Sequence, residues 1–226
     1  MALLSKLIAG NKVRKSRLHD EKGNFVGWKK MITHGIPAFT TGLLRIVLNY
    51  RPEKPWISYS AISILKTKLN KQSRVLEFGS GMSTIWYSKH AGEVFSVEDN
   101  SGWYKNISKV FSAKNMNNVS YHFMDDENNY SSFMTNDNKK FDLIMIDGSH
   151  RSQCINTAIK LIKPGGIIYL DNSDKDSTEQ GGDMRLAEQT LRQYADSTGS
   201  RLTTFTDFAP TQLFVQQGLM LEKSRW

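Results

Sequence analysis

One stretch of the sequence decides the fold: Val75-Leu76-Glu77-Phe78-Gly79-Ser80-Gly81-Met82-Ser83-Thr84. Apolar residues around an acidic one predict a buried parallel strand over 74–78, and two glycines spaced by one residue predict a tight turn. A helix is expected from Thr84 onwards, because hydroxyl residues commonly begin helices. Glycines allow the backbone to approach a ligand, and a helix N-terminus offers unpaired N–H groups. The turn therefore predicts a binding site for a dinucleotide phosphate or an adenosyl cofactor.

Two residues distinguish between these ligands. The dinucleotide fingerprint requires a third glycine where Thr84 stands, and it usually has no acidic residue two positions before the first glycine. A carboxylate at the strand end that faces the loop suits a cationic ligand, so Glu77 favours the adenosyl cofactor. The stretch resembles the first motif of the class I S-adenosylmethionine-dependent methyltransferases, an acidic residue followed by Gly-x-Gly. This resemblance covers roughly residues 56–216.

Length and cysteine content restrict the class of protein. The 226 residues suffice for one α/β domain with an appendage. The single cysteine, Cys154, excludes an intrachain disulfide, and its place in a predicted helix indicates a buried thiol. No secretory signal is predicted, because Lys6 interrupts the first apolar run. The apolar stretch 35–50 is too short for a membrane span and carries Arg45, so we expect a cytoplasmic protein.

The net charge of +8 belongs to the first quarter of the chain. Residues 1–54 hold 11 Lys/Arg and 3 Asp/Glu, whereas residues 55–226 hold equal numbers of both. We therefore divide the chain into a basic helical N-terminal leader, 1–54, and a methyltransferase domain, 55–226. For residues 1–30 we expect either an amphipathic helix on an anionic membrane or acidic partner, or a solvated arm. No specific nucleic acid is expected, because aromatic residues do not alternate with the basic ones.

From residue 56 onwards, predicted strands alternate with predicted helices. This alternation implies right-handed βαβ units and an α/β fold with a Rossmann-like, mostly parallel sheet flanked by helices. Strands are predicted over 74–78, 93–98, 119–123, 141–146 and 167–170, followed by an antiparallel C-terminal pair over 202–206 and 213–216. A helix is predicted over 40–49 of the leader, and the polar segment 173–182 has the composition of a mobile lid.

Acidic residues follow the second and third predicted strands, at the edge where ligands bind in an open parallel sheet. Glu98 ends the second strand, and its carboxylate can accept hydrogen bonds from both ribose hydroxyls. Asp125 follows the third strand and is placed to reach the adenine amino group; Asp126 is an equal candidate. The resemblance supports the same roles for Gly79, Gly81, Glu98 and Asp125. Ser83 or the backbone around Ser80 is expected at the methionine carboxylate.

A second group of polar residues follows the fourth and fifth predicted strands. Asp147 and Asp171 end neighbouring strands about 4.8 Å apart, so their carboxylates and the Asn172 amide oxygen should converge. Such carboxylates repel unless one is protonated or a cation lies between them, and these hard oxygens favour Mg²⁺ or another divalent cation. The arrangement resembles the metal-dependent O-methyltransferases that act on catechols and caffeoyl-CoA. The alternative is that Asp147 contacts the cofactor or caps a turn and that Asp171-Asn172 opens a loop.

The run Ile146-Asp147-Gly148-Ser149-His150 resembles bacterial methyltransferases found with glycan and natural-product biosynthesis. His150 is a candidate general base for a hydroxyl proton, and the alternative is a helix-start residue bonded to a nearby carboxylate. Arg151 is expected to be solvated. We therefore predict S-adenosylmethionine-dependent O-methylation of a small-molecule or glycan-type hydroxyl, with His150 and Asp147 as catalytic residues. A non-catalytic adenosyl-binding protein and a nicotinamide-dependent oxidoreductase are the alternatives.

Overall fold

A twisted sheet forms the centre of the protein, whose computed structural model describes residues 9–179 and 181–225. Within these residues the strands are β1 Arg74–Phe78, β2 Glu93–Glu98, β3 Val119–Phe123, β4 Phe141–Ile146, β5 Ile162–Leu170, β6 Arg201–Asp207 and β7 Gln216–Glu222. The helices are α1 Trp28–Thr33, α2 Gly35–Leu48, α3 Tyr59–Lys68, α4 Met82–His90, α5 Ser101–Ala113, α6 Glu127–Ser131, α7 Arg151–Leu161 and α8 Asp183–Thr198.

The strand order is β3-β2-β1-β4-β5-β7-β6, with β7 antiparallel to both of its neighbours and the other pairings parallel. The chain leaves β1 towards β2 and β3, and it then returns to place β4 on the other side of β1. This reversal creates a crevice beyond the carboxyl ends of β1 and β4, where ligands bind in such sheets. The Rossmann-like, mostly parallel sheet with an antiparallel C-terminal pair is thus confirmed.

The core lies on both faces of the sheet. All five residues of β1 are buried, as expected for a central parallel strand. Leu76 packs with residues of α7 and α8 on one face, and Val75 packs with residues of α3 and α4 on the other. Cys154 is buried in the first of these clusters, as predicted. Burial on both faces holds the strand ends, and therefore the crevice, in a fixed position.

Two boundaries in the second half of the sheet were predicted wrongly. The closing strand occupies Gln216–Glu222, whereas the sequence predicted 213–216. Gly218 weakens the strand pattern of this segment in the sequence. That glycine is required because a Cβ there would lie 1.8 Å from the Tyr169 hydroxyl. In addition, β5 begins at Ile162, whereas the sequence predicted a strand over 167–170.

The leader is folded onto the domain rather than solvated. Residues 9–27 form two isolated bridges and no helix, so the amphipathic helix predicted for 1–30 is absent from this described part. The apolar residues Leu3, Leu4, Leu7 and Ile8 lie outside the described residues. Asp20 is fully buried and accepts a hydrogen bond from Thr206 Oγ1 at 2.8 Å, and Lys22 Nζ lies 2.7 Å from Glu188 Oε1.

Helices α1 and α2 lie against the end of the sheet. The predicted helix over 40–49 is extended at its start, and Trp28–Leu48 is long and apolar enough, by length and composition only, to cross a membrane. The apolar helical stretch is therefore longer than the 35–50 that the sequence predicted. Three polar contacts nevertheless hold the helices along the domain: His34 Nδ1 to Asp207 Oδ1 (2.8 Å), Lys30 Nζ to Thr206 O (3.1 Å) and Thr211 N to Thr41 Oγ1 (2.9 Å).

The segment predicted as a lid is anchored at its first residues. Ser173 and Asp174 are completely buried, and the Ser173 N–H donates to Gln217 O at 2.8 Å. The Asp174 carboxylate accepts from the backbone N–H of Glu21 at 3.0 Å. The start of the segment therefore joins β7 to the leader, and only the exposed residues that follow retain the character expected of a lid.

Candidate active site

The glycine turn after β1 packs directly against the loop after β4. Gly79 has a φ of +90°, and a Cβ on it would lie 2.6 Å from the Gly148 backbone N. A Cβ on Gly148 would lie 2.1 Å from the Tyr130 hydroxyl. Gly81 follows with its N–H donating to Thr84 Oγ1 at 3.1 Å, which begins α4. The absence of side chains allows two loops to meet backbone to backbone at the crevice.

Glu77 is buried beneath this turn and stabilises it through hydrogen bonds. Its side chain is buried and accepts hydrogen bonds from the hydroxyls of Ser83, Thr84 and Ser96, the last two at 2.6 and 2.7 Å. Burial raises the pKa of Glu77 to about 7, against the three hydroxyls that lower it, and the nearby Asp147 carboxylate raises it further. The expectation that Glu77 faces the ligand is therefore corrected. The hydroxyl of Ser83, a predicted cofactor contact, is also used by Glu77.

Glu98 ends β2 beside the same turn, and its carboxylate already has protein partners. Oε2 accepts from Ser80 N at 3.1 Å and from Ser80 Oγ at 2.7 Å, while Oε1 accepts from Asn100 N at 3.1 Å. Ser80 Oγ also lies 2.7 Å from the Tyr121 hydroxyl. Glu98 thus stands where a ribose acceptor is expected, and a ribose hydroxyl would replace the Ser80 hydroxyl there.

Trp103 covers the turn, although the sequence did not identify it. Its Nε1 donates to Ser80 O at 2.8 Å, and the Arg51 guanidinium lies 5.4 Å from its ring centroid. In the sequence, Trp103 could have been identified by its position in the first turn of the helix that follows Glu98. Trp103 connects the cofactor turn to the end of the leader. No local sequence motif predicts this long-range contact.

The structure separates Asp125 from Asp126. Asp126 caps α6, because its carboxylate accepts from Asn129 N at 2.9 Å. Asp125 is exposed beside it in a cavity of about 480 Å³, and its carboxylate has no hydrogen-bond partner among the described residues. Of the two equal candidates for the adenine amino group, Asp125 is therefore the one with free oxygens.

Asp147 and Asp171 meet at the ends of β4 and β5, as the register Ile146 to Leu170 requires. Burial raises the pKa of the Asp171 carboxyl, and desolvation by the surrounding protein raises the pKa of Asp147. The Asp147 charge raises the pKa of Asp171 further, and Arg151 opposes the shift in each case. Asp171 is almost fully buried, whereas 38% of the Asp147 side chain is open to the crevice. The predicted convergence therefore takes the form of two adjacent carboxyls whose pKa values are both raised.

Arg151 is not the solvated residue that the sequence predicted. Its side chain is 11% exposed and lies 3.5 Å from Asp147 Oδ1. It donates to backbone carbonyls of Gly148 at 2.8 Å, Asp147 at 3.1 Å and Asp171. The guanidinium thus fastens the ends of β4 and β5 to each other and supplies a positive charge beside the carboxyl pair.

A metal at this edge of the sheet would be bound by Asp147, Asp171 and Asn172. Two carboxylates and an amide oxygen are suitable ligands for a hard cation, but the Arg151 guanidinium already lies on one side of Asp147. Asn172 adopts a left-handed backbone with a φ of +51°. Across the described residues, no group of three or more His, Cys, Asp and Glu side chains could hold a metal. The predicted set of Asp147, Asp171 and Asn172 contains only two such residues.

His150 directly precedes α7 and has a left-handed backbone with a φ of +49°. Its Nδ1 lies 3.3 Å from Glu127 Oε1, which also accepts from Gln153 Nε2 at 2.6 Å. This is the arrangement of the alternative interpretation, a helix-start residue bonded to a nearby carboxylate. It also fixes the orientation of an imidazole that is 32% exposed.

The comparisons with known proteins agree with this geometry. Residues 76–173 match the family model described as "Methyltransferase domain". The structure is similar to cofactor-bound Rv0187 from MTB (22% identity, TM-score 0.59, 83% of this chain and 90% of that one). It is also similar to the O-methyltransferase from Bacillus cereus in complex with SAH (17%, 0.58, 83% and 91%) and to an rRNA methylase from Streptococcus thermophilus (11%, 0.54, 77% and 98%). No curated protein sequence matches the chain.

At these identities the structural neighbours establish the fold alone. The family match covers β1 to the end of β5, the segment that contains the glycine turn, Glu98 and the Asp147–Asp171 pair. Residues 76–173 therefore match a methyltransferase domain, and the chain has the fold of the class I S-adenosylmethionine-dependent methyltransferases.

Proposed function

We propose that the protein transfers the methyl group of S-adenosylmethionine to a hydroxyl oxygen of a small-molecule or glycan-type acceptor. The observation that carries this proposal is the carboxyl pair Asp147–Asp171 at the open edge of the sheet, directly beside the glycine turn. Methylation of a hydroxyl requires a group that takes its proton, and an ionised carboxylate that is open to the crevice supplies one. The similarity of the fold to the O-methyltransferase from Bacillus cereus gives further support.

Within this proposal, some site residues bind the cofactor and others remove the hydroxyl proton. Glu98 accepts hydrogen bonds from the ribose, the glycine turn admits the methionine part, and Asp125 binds the adenine amino group. This placement aligns the sulfonium methyl with the acceptor oxygen, which is most of what an in-line transfer needs. Asp147 then accepts the hydroxyl proton, and His150, oriented by Glu127, is the second proton acceptor at the same edge.

Within this proposal, Asp147, Asp171 and Asn172 would hold a divalent cation such as Mg²⁺. A bound cation lowers the pKa of a coordinated hydroxyl and fixes its position. Because ligands must be deprotonated and the pKa of both carboxyls is raised, cation binding would favour their ionised forms. Titrating Mg²⁺ into the protein in a weakly buffered solution should therefore release protons and raise the melting temperature, and Asp171→Asn should abolish both effects. Unchanged activity in EDTA, with no proton release, would remove the cation from the proposal.

The test of the main proposal follows a labelled methyl group. The protein is incubated with methyl-deuterated S-adenosylmethionine and a panel of hydroxylated acceptors, and mass spectrometry locates the label. We expect an O-methylated product, with turnover reduced about 100-fold or more in Asp147→Asn. The exposed Asp196 on α8 provides the control Asp196→Asn, which should retain full turnover.

Two outcomes would contradict the proposal. Label on a nitrogen atom or on RNA would change the acceptor class, because an rRNA methylase shares this fold. Binding of the cofactor without turnover of any acceptor, with Asp147→Asn indistinguishable from the unmodified protein, would favour a non-catalytic adenosyl-binding protein.

A further inference from the structure

A cavity of about 660 Å³ lies between the leader, α2 and residues 211–214. Four arginines line it: Arg14, Arg17, Arg45 and Arg51. No acidic residue belongs to its lining as far as the described residues show. Four guanidinium groups around one water-filled space repel one another, and an anion between them would relieve that repulsion.

These arginines are poorly neutralised by the protein itself. Arg14 pairs with Glu21 at 2.7 Å and with Asp174 at 3.9 Å, yet its Nε is buried without a hydrogen-bond partner in the described part of the chain. In the same residues no carboxylate forms an ion pair with Arg17, Arg45 or Arg51. Buried donors and unpaired charges are costly unless a ligand satisfies them, so the cavity has the chemistry of an anion site.

Arg51 connects the cavity to the side of the active site that binds the cofactor. This residue stacks on Trp103, whose indole N–H binds the Ser80 carbonyl in the glycine turn. An anion bound at Arg51 is therefore one aromatic ring away from the turn that receives the cofactor.

A second connection runs through Arg45 to the carboxyl pair. Arg45 lies 4.6 Å from the ring centroid of Trp56, whose backbone carbonyl accepts from Gln216 Nε2 at 3.2 Å. The same Nε2 is 3.5 Å from Asp171 Oδ1. The Trp56 Nε1 is itself buried and has no partner within the described residues. A series of contacts thus connects the arginine cavity to both halves of the reaction site.

The geometry points to a phosphate or diphosphate group on the methyl acceptor, bound in the arginine cavity while its hydroxyl lies at Asp147. This inference rests on the proposed function and names its substrate class, a phosphorylated or nucleotide-linked hydroxyl compound. Guanidinium groups bind phosphate oxygens through paired N–H donors, and diphosphate offers enough oxygens for several arginines.

Calorimetry with inorganic pyrophosphate tests the site without any methyl transfer. We expect the full chain to bind pyrophosphate and Arg17→Gln to weaken binding about tenfold or more. Arg17 suits this purpose because its side chain makes no hydrogen bond or ion pair within the described residues, so the substitution spares the fold. Arg45→Gln should weaken binding similarly. Arg201→Gln is the matched control, because Arg201 is 71% exposed at the far edge of the sheet.

Equal pyrophosphate affinity in Arg17→Gln, Arg45→Gln and Arg201→Gln would overturn the inference, as would absence of binding to the unmodified protein. A lipid source for the phosphate is distinguished by a second arm, in which pyrophosphate is replaced by vesicles containing phosphatidic acid. Failure of the proposed function would appear separately, as label on a nitrogen or on RNA while pyrophosphate still binds.

A different observation concerns the outer face of α1 and α2. Six apolar side chains that are half or more exposed recur every three or four residues along both helices, which places them on one stripe, and Ile46 and Leu48 are exposed beside it. The stripe consists of Trp28 (72% exposed), Ile32 (60%), Ile36 (63%), Phe39 (50%), Leu43 (51%) and Val47 (67%). We call these six residues the apolar ridge. A continuous exposed face of this size indicates a binding partner.

Charge decides which partner fits the ridge. The leader carries a net charge of +8, so pairing with a second copy would bring two strongly basic segments together. A bilayer with anionic lipids combines an apolar interior with a negative surface. The polar contacts of Lys30, His34 and Thr41 with the domain hold the helices along the protein surface, which favours an interfacial position over a spanning one. We infer that the apolar ridge docks on an anionic membrane surface.

Vesicle sedimentation of the full chain tests this docking. Vesicles of phosphatidylcholine with phosphatidylglycerol should bind the protein and release it in high salt, and pure phosphatidylcholine should bind it weakly. The double variant Ile32→Glu/Val47→Glu should lose about tenfold or more in partitioning. Leu186→Glu is the control, because Leu186 is an exposed apolar residue (44%) on α8, away from the ridge.

Equal partitioning of the double variant and the unmodified protein would overturn the membrane inference. A concentration-dependent dimer in sedimentation velocity, abolished by the same two substitutions and accompanied by no vesicle binding, would also overturn it. That result would show the ridge to be an interface between two copies of the chain.

Discussion

The buried Glu77 carboxyl makes the stability of this protein depend on pH in a specific direction. Burial raises its pKa from an ordinary 4.5 to about 7. Between these two values the folded state keeps the proton while the unfolded state has lost it. The free energy of unfolding therefore falls as pH rises from 4.5 through 7, and it levels off above that range. The whole effect corresponds to roughly 3 kcal/mol, of which roughly 2 kcal/mol is lost between about pH 5.5 and 8.5.

The substitution Glu77→Gln isolates this contribution. Glutamine has nearly the same shape and can still bind the hydroxyls of Ser83, Thr84 and Ser96, but it does not titrate. We expect the difference in unfolding free energy between variant and unmodified protein to shift by roughly 2 kcal/mol in favour of the variant over that pH range. Urea denaturation at several pH values, without cofactor, measures this difference directly.

Glu53→Gln provides the control, because hydrogen bonds from Lys114 and Lys89 lower the pKa of Glu53. Glu53 is therefore ionised throughout the range, and its replacement should change stability by a constant amount. Parallel pH profiles for Glu77→Gln and the unmodified protein would refute the reasoning. They would mean that the three hydroxyl donors compensate the burial of the ionised carboxylate in full.

Three further predictions concern the site itself. Glu98→Ala should weaken binding of S-adenosylhomocysteine about tenfold or more in calorimetry, since two ribose hydroxyls lose their acceptor, whereas Glu222→Ala should not. Gly148→Ala should lower the melting temperature by several degrees, because its Cβ would lie 2.1 Å from the Tyr130 hydroxyl, and adding Tyr130→Phe should restore part of the loss. Arg151→Gln should destabilise the protein by about 2–3 kcal/mol in urea denaturation, since three carbonyls and Asp147 lose their donor. An unchanged denaturation midpoint would contradict the role of Arg151 in joining the ends of β4 and β5.

Prediction from the sequence succeeded for the location of residues at the ends of strands. In a parallel sheet, every carboxyl end lies on the same edge, so Glu98, Asp147 and Asp171 were brought to that edge by strand assignment alone. Asp125 lies just after β3 for the same reason, but the sequence could not separate it from its neighbour Asp126. That distinction depends on whether α6 begins there, and a five-residue helix leaves too weak a pattern to predict.

Prediction failed where the partner of a side chain is distant in sequence or belongs to the backbone. Arg151 resembles a solvated residue because its partners are carbonyl oxygens, which carry no sequence signature. Glu77 was expected to face a ligand, since its position at the strand end does not reveal that the Ser96 hydroxyl on the neighbouring strand reaches the same carboxylate. Trp103 was overlooked because its two contacts, with Ser80 and Arg51, join different parts of the chain.

The relation between the basic leader and the neutral domain follows from these long-range contacts. Charge alone separates the chain near residue 54, but Arg45 and Arg51 stack on Trp56 and Trp103, which belong to the domain. A guanidinium over an indole ring retains its outward N–H donors, so stacking fixes the position of the arginine without neutralising it. The domain thus supplies the adenosyl chemistry common to its fold, and the leader adds fixed positive charge beside it. Selection of the acceptor would then depend on the leader, whose sequence contains no motif that predicts it.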